Sequence, residues 1–245
     1  MRRSVTALQR GARITVVDQG IEETRNLSEI LAISMKDLSA ITFPLIDFSS
    51  VNFEAGVVRR MSSIGSVLRR DCPSGTLQRM ASHRSDVVRG WVAFAIGEDE
   101  SRVMADRLAS IRRFAADQHF GVREWAWLAV REMLREHILD AIPMLSSWTA
   151  SADPFIRRFA VEATRPRGVW SRHIATLRED PEQGLAVIEP MKFELDRYAQ
   201  DSVANWLNDA GKDHPDWVTA LLRRWSEESA SPRIVKRAAR NLISA

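Results

Sequence analysis

Apolar positions recur along this chain at the spacing of a helix. In the tract that follows Pro154, Ile156, Phe159, Ala160 and Ala163 fall at i, i+3, i+4 and i+7 and form one stripe. Arg158, Glu162 and Arg165 line up on another face, and Pro166 predicts the end of the helix. A second tract repeats the pattern. Ala199, Ser202, Val203, Trp206, Leu207 and Ala210 follow helical spacing, and Asp201, Asn205, Asn208 and Lys212 make a polar stripe beside them. Gly211 suits the end of that helix, and Asp213 suits the cap of the next. Earlier in the chain, two helices are predicted between Ile21 and Asp47, and another from Asn52 to Arg70. Pro73 and Gly75 then read as a break. No segment alternates at period two, so no sheet is predicted.

From there on a unit repeats. Val88-Arg89-Gly90-Trp91, Val122-Arg123-Glu124-Trp125 and Ile156-Arg157-Arg158-Phe159 each open a helix with a small apolar-basic signature. Ala199-Gln200-Asp201-Ser202 and Val235-Lys236-Arg237-Ala238 continue the series. Partner helices fit between them, over Glu100–Ala116, Ile138–Thr149, Trp170–Arg178 and Pro215–Ser229. Paired amphipathic helices at this period predict an all-α fold, a right-handed α-solenoid of HEAT-like repeats. One helix pair cannot bury its own apolar face, so neighbouring pairs bury it for one another. The expected organisation is a basic N-terminal arm, residues 1–20, and a single repeat domain, residues 21–245.

Composition narrows the class. Of 245 residues, 45% are hydrophobic and 27% charged, the balance of a soluble globular chain. No apolar run approaches the roughly 18 residues of a membrane span, and no zinc spacing of Cys and His is present. Cys72 is alone, so no internal disulfide can form and a reducing, cytoplasmic setting is expected. Net charge is +3, and the basic residues are mostly arginine, which suits bidentate phosphate contacts. GC-rich coding bias accounts for the same enrichment without any phosphate. The arm carries Arg2, Arg3, Arg10 and Arg13 with no acid before Asp18. It reads either as a reach toward a phosphate backbone or as a loosely held terminus.

The repeat places Arg89, Arg123, Arg157 or Arg158, and Lys236 or Arg237 near the starts of successive second helices. There they form either a basic inner track, reinforced by helix N-termini, or a row of solvated arginines beside acidic neighbours. Trp127 lies off the stripe of Val122, Trp125, Ala126 and Ala129 and one turn from Arg123 and Arg131. It either faces DNA or packs between helices. Trp206 falls on its apolar stripe and is assigned to the core.

The segments Arg157-Arg158-Phe159-Ala160-Val161-Glu162-Ala163-Thr164-Arg165-Pro166-Arg167, Ser202-Val203-Ala204-Asn205-Trp206-Leu207-Asn208-Asp209 and Lys212-Asp213-His214-Pro215-Asp216 resemble the DNA alkylation repair proteins of AlkC/AlkD type, closest to the AlkC branch. These are alkylpurine DNA glycosylases built of HEAT-like repeats. The resemblance covers about the C-terminal 60% of the chain. It implies hydrolysis of the N-glycosidic bond of cationic N-alkylated purines, the 3-methyladenine class, in double-stranded DNA. The alkylated base is already a good leaving group, so the enzyme needs a carboxylate near the sugar where oxocarbenium charge develops. No metal or organic cofactor is implied, and the protein is expected to act as a monomer, with the nucleoid when on DNA.

Carried onto this sequence, the resemblance implies a phosphate contact for Arg158, an acidic site residue in Glu162, a second carboxylate in Asp209 and an aromatic wall in Trp170. Asn205, Asn208 and Lys212 would support DNA or carboxylate placement, and Arg123, Arg157, Arg165 and Arg167 belong to the DNA-contacting set. Two positions depart from the pattern. His119 stands before Phe120-Gly121-Val122-Arg123 where relatives carry an acid; it is a candidate catalytic residue that can stabilise or deprotonate, but a histidine supplies no standing negative charge at neutral pH. Gln200-Asp201 replaces a basic pair. The alternative is a non-catalytic HEAT-repeat protein that binds DNA or a protein partner.

Overall fold

The computed structural model describes residue 13 and residues 15–242. Among the described residues every regular element is helical and none is a strand, as the periodicity predicts. The chain forms two compact units, Met1–Ala129 and Val130–Ala245.

The first unit contains α1 (Leu27–Ala32), α2 (Met35–Thr42), α3 (Val57–Asp71), α4 (Ser74–Met80), α5 (Asp86–Gly97) and α6 (Met104–Ala115). It closes with the opening turns of the long helix α7 (Phe120–Glu136). Met61, Ile64, Val88, Trp91, Ile111, Val122 and Trp125 make its core and are essentially inaccessible to solvent. Helices α3 and α5 pack so closely that a Cβ on Gly65 would come within 2.6 Å of the Phe94 Cβ, so glycine is required there. The break expected at Pro73 falls between α3, which ends at Asp71, and α4, which starts at Ser74 with Pro73 in its cap position, while Gly75 lies inside α4. The expected arm lies mostly outside the described residues. Within them, Arg13 reaches Glu29 at 3.0 Å and Glu22 at 2.5 Å.

The second unit takes the rest of α7, then α8 (Ile138–Trp148), α9 (Pro154–Ala163), α10 (Ala175–Glu179), α11 (Leu185–Ile188), α12 (Arg197–Gly211), α13 (Pro215–Glu227) and α14 (Pro232–Ala239). Two 3-10 turns, Pro181–Gly184 and Glu189–Phe193, flank α11. Asp153 caps α9 by accepting from the Phe155 N–H at 2.8 Å, and Asp196 caps α12 by accepting from Tyr198 and Ala199. Helix α9 packs on α12, and α12 on α13 and α14. Phe159, Ala160, Ala163, Val203, Trp206, Leu207 and Ala210 are buried among them, and Trp206 is core as expected. Burying a side chain of the Phe or Leu class is worth about 1.5–3 kcal/mol, so this interface holds the two helices in register. No helix of the described residues is long and apolar enough to cross a membrane.

Candidate active site

The repeated arginines have a common local fate. Arg89 donates to the carbonyls of His83 and Arg84 at 2.8 and 3.0 Å, six and five residues back. Arg123 does the same to Asp117 and Gln118 at 2.7 and 2.9 Å, and Arg157 to Ser151 and Ala152 at 2.8 and 3.0 Å. At the next repeat, where the signature has no arginine, Gln200 donates to the carbonyl six back, Glu194, at 2.6 Å. The guanidinium thus straps the turn that leads into its own helix. Two of the arginines also fork onto a carboxylate of a following turn. Arg89 holds Asp117 at 2.8 and 3.0 Å, and Arg157 holds Glu194 at 2.6 and 2.7 Å. The expected basic track is therefore corrected at Arg89, Arg123 and Arg157, whose charges are engaged by backbone and carboxylate oxygens.

The neighbouring residue behaves differently. One position along α9, Arg158 points to the other face. Its guanidinium lies 4.0 Å over the Tyr198 ring and 3.6 Å from Oε1 of Glu162, one turn on. Glu162 also accepts from Ser202 Oγ at 2.7 Å, across from α12, and from Arg165 at 3.2 Å. Arg165 then reaches Asp209 on α12, with Nε at 2.9 Å and Nη2 at 2.8 Å from the same oxygen. The other Asp209 oxygen lies 3.3 Å from Lys212 Nζ, whose side chain is 53% exposed. Glu162 and Asp209 are each only 3% exposed. Two helices that pack through apolar stripes thus bring two carboxylates to a single bridging arginine.

Burial alone would raise the Glu162 carboxyl. The guanidiniums of Arg158 and Arg165 and the Ser202 hydroxyl outweigh it and hold the group below its ordinary value. Burial likewise opposes the charge on Arg165, and its two carboxylates more than restore it. Glu162 and Arg165 thus favour each other's charged forms.

The loop after α9 carries Trp170, which is 47% exposed and held at φ 59°, a left-handed conformation rarely adopted by a bulky residue. The helix expected from Trp170 begins only at Ala175. Arg167 pairs with Asp213 at 2.5 Å, and Arg178 with the same carboxylate at 3.0 Å. Those two hydrogen-bonded arginines depress the Asp213 carboxyl strongly. Asp213 is therefore not a cap; the cap position of α13 is His214, with no side-chain bond.

The remaining expected site residues divide. Asn205 sits one turn before Asp209 on α12, half buried. Asn208 turns away toward α14: it donates to the Ala204 and Arg237 carbonyls at 2.7 and 3.2 Å and accepts from Asn241 at 3.0 Å. Trp127 is buried, with its indole N–H on Glu124 at 2.9 Å. That burial agrees with the packing reading of its position. His119, in the first unit, accepts from the Gly121 N–H at 3.1 Å, which leaves its second nitrogen to meet the Thr24 carbonyl at 2.7 Å. Thr24 donates twice to the fully buried Asp86, at 2.9 and 2.8 Å. His119 is thus part of a buried network that anchors the Thr24 segment. Sequence reasoning gave no role to Ser202, Tyr198 or Arg131. Ser202 and Tyr198 carried a signal, since Ser202 lies two turns before Asp209 and Tyr198 one turn before Ser202, on the face that meets α9.

Among the described residues, no three His, Cys, Asp or Glu side chains gather as a metal site. The groups gathered where α9 meets α12 are two carboxylates, the Arg165 that bridges them, and Arg158 over the Tyr198 ring.

A sequence profile for the DNA alkylation repair enzyme family matches residues 99–243, more than half of the chain. The protein belongs to that family. It is 33% identical over 116 residues to the uncharacterized protein YhaZ of Bacillus subtilis (strain 168), a match that covers 47% of this chain and 32% of that one. Its fold is similar to that of the Pseudomonas fluorescens alkylpurine DNA glycosylase AlkC, solved bound to DNA containing an abasic site analog. The TM-score is 0.70 at 22% identity, over 95% of this chain and 62% of that chain. It is similar also to AlkD2 from Streptococcus mutans, with TM-score 0.62 and 22% identity over 79% and 93% of the two chains. The chain spans about a third of YhaZ and less than two thirds of AlkC.

Proposed function

We propose that this protein is a DNA glycosylase that releases cationic N-alkylated purines, the 3-methyladenine class, from duplex DNA, acting with the chromosomal DNA in the cytoplasm. The observation that carries this reading is the pair of buried carboxylates, Glu162 and Asp209, held by Arg165 just past the end of α9, in the chain segment that leads to the exposed Trp170. Family membership supports alkylated DNA as the substrate.

The two carboxylates take different roles. Both Glu162 oxygens are engaged, by Ser202 and Arg158 on one side and Arg165 on the other, so Glu162 orients the arginines. Asp209 has one oxygen held by Arg165, while the other meets only the longer contact to half-exposed Lys212. Phosphate binding draws Lys212 away and opens that oxygen to the sugar. As the C1′–N bond breaks, its electron pair neutralises the cationic base, and positive charge moves to the sugar. Asp209 stabilises that charge and orients a water. The water oxygen bonds to C1′ and its proton passes to Asp209 and then to solvent. Trp170 stacks against the damaged nucleotide. Arg158 and Arg167 contact the phosphate backbone.

One observation favours a second reading, in which the protein binds altered DNA without excision: Asp209 is only 3% exposed. A base-release assay on dimethyl-sulfate-treated duplex DNA decides. The glycosylase reading expects free 3-methyladenine well above the spontaneous rate. DNA binding with release no faster than in buffer would overturn it in favour of the second.

A further inference from the structure

The loop that carries Trp170 is held from beneath by a residue the mechanism above does not use. Arg131, on α7, is 2% exposed, and its guanidinium donates to three backbone carbonyls. These are Ala163 at 2.7 Å, Arg165 at 2.6 Å and Arg172 at 3.4 Å. The first is the last residue of α9, and the other two bracket the loop on either side of Trp170.

These contacts complete an accounting of the α9 terminus. A helix ends with four carbonyls that lack partners within it. Those of Ala160 and Val161 take the Thr164 hydroxyl at 3.0 and 3.1 Å, and that of Glu162 takes the Arg165 N–H at 3.3 Å. Only Ala163 is left, and Arg131 takes it. Beyond the helix, Trp206 donates to the Thr164 carbonyl at 3.0 Å, and the Ile174 N–H to that of Pro166 at 3.0 Å. Residues 163 to 174 are thus tied at each end, and Arg131 is the group that touches both ends. Gly168 packs directly on it: a Cβ there would lie 3.2 Å from Arg131 Nη2 and 2.5 Å from Ser171 Oγ.

A side chain that only filled this space would be apolar, because burying a cation is costly. Burial, with the repulsion of Arg165, brings the Arg131 pKa down to about 10, still charged at neutral pH. The negative end of the α9 dipole and three carbonyls favour the charge in return. What this arrangement fixes is relative position. The Arg165 backbone is held by Arg131, and its side chain spans Glu162 and Asp209. From the same guanidinium, the Arg172 carbonyl sets the far side of the Trp170 loop.

We propose that Arg131 is a positioning residue of the site, setting the Trp170 loop and the Arg165–Asp209 pair in one fixed arrangement so that both address a single nucleotide. This rests on the glycosylase reading for its catalytic consequence, but not for its structural one.

The test compares wild type, Arg131→Met, Arg131→Lys and Gly168→Ala by amide hydrogen exchange and by single-turnover excision of methylated duplex DNA. In Arg131→Met the amides of residues 166–174 are expected to exchange at least about 10-fold faster, with those of α8 and α13 unchanged. Its single-turnover rate constant at saturating enzyme is expected to fall about 10- to 100-fold with the half-saturating enzyme concentration little altered, the size of effect a misplacement of about 1 Å produces. Arg131→Lys recovers part of the loss. Gly168→Ala, whose added Cβ presses on Arg131 and Ser171 from within the loop, shows the same pattern more weakly and decides the matter if Arg131→Met does not fold. Exchange that rises equally in loop and core, or a loop unchanged in all three variants, overturns the proposal. Wild-type protein that excises nothing, with the loop-specific exchange still seen in Arg131→Met, removes the glycosylase reading and leaves the positioning role. Arg131→Met that excises like wild type does the reverse.

Discussion

Helix α9 offers two arginines, one at its first full turn and one a residue later, and they lead opposite lives. Arg157 folds back on the turn it has just left and forks onto Glu194. Arg158 looks along the helix to Glu162 and lies on the Tyr198 ring. The first kind recurs at Arg89 and Arg123, always to carbonyls six and five residues back. The second kind does not recur there. A charge satisfied by its own turn is part of the scaffold. A charge satisfied by other ionisable side chains can exchange partners, and that is the property a nucleic-acid site needs.

Breaking the scaffold side gives the largest expected effect. Arg157→Met leaves Glu194 buried without its fork and two carbonyls without donors. We expect a loss of about 2–4 kcal/mol, read as a drop of roughly 5–15 °C in Tm. A Tm within a degree or two of wild type would dissolve the distinction between the two arginines.

Glu162→Gln cuts the other side. It removes the charge that holds Arg158 and Arg165 together, and base release is expected to fall about 10- to 100-fold through their displacement. Release unaffected by this change would mean that the network does not set the site geometry. A smaller effect is expected of Arg158→Ala, which should weaken duplex binding about 10-fold and lower the slope of log affinity on log salt by about one. Titration of binding against salt reads both numbers, and an unchanged slope removes Arg158 from the phosphate contacts.

The mildest probe is pH. Glu162 and Glu194 are both held below the ordinary glutamate value of 4.5 in the folded state. Such groups stabilise above that value, and the contribution disappears as pH falls through the folded one. Tm should therefore be level near neutrality and decline below about pH 4.5. Arg157→Met should decline less steeply, because Glu194 has lost the partner that lowers it.

The sequence carried most of the scaffold and part of the site. The repeat of Val88-Arg89, Val122-Arg123 and Ile156-Arg157 was visible because buried helix faces impose a spacing. The stripe of Arg158, Glu162 and Arg165 was visible for the same reason. What the arginines bind was not visible, because a guanidinium chooses between carbonyl and phosphate according to the path of the preceding turn. The clue was a polar turn five and six residues back, as at His83-Arg84, Asp117-Gln118 and Ser151-Ala152. Trp170 was expected in a helix that starts five residues later, since periodicity does not report a left-handed residue. Pro181 to Phe193 passed unread as turns too short to show a period. Asp213 looked like a cap and is an anchor for two arginines, a tertiary pairing that no local pattern encodes.

The claim that the end of α9, and not its beginning, is the working site is tested most directly by comparing Asp209→Asn with Arg157→Met in single-turnover release of 3-methyladenine, at a temperature where both are folded. The account predicts that Asp209→Asn loses about 10²- to 10³-fold in rate while Arg157→Met releases base like wild type. Asp209→Asn working at the wild-type rate would contradict it.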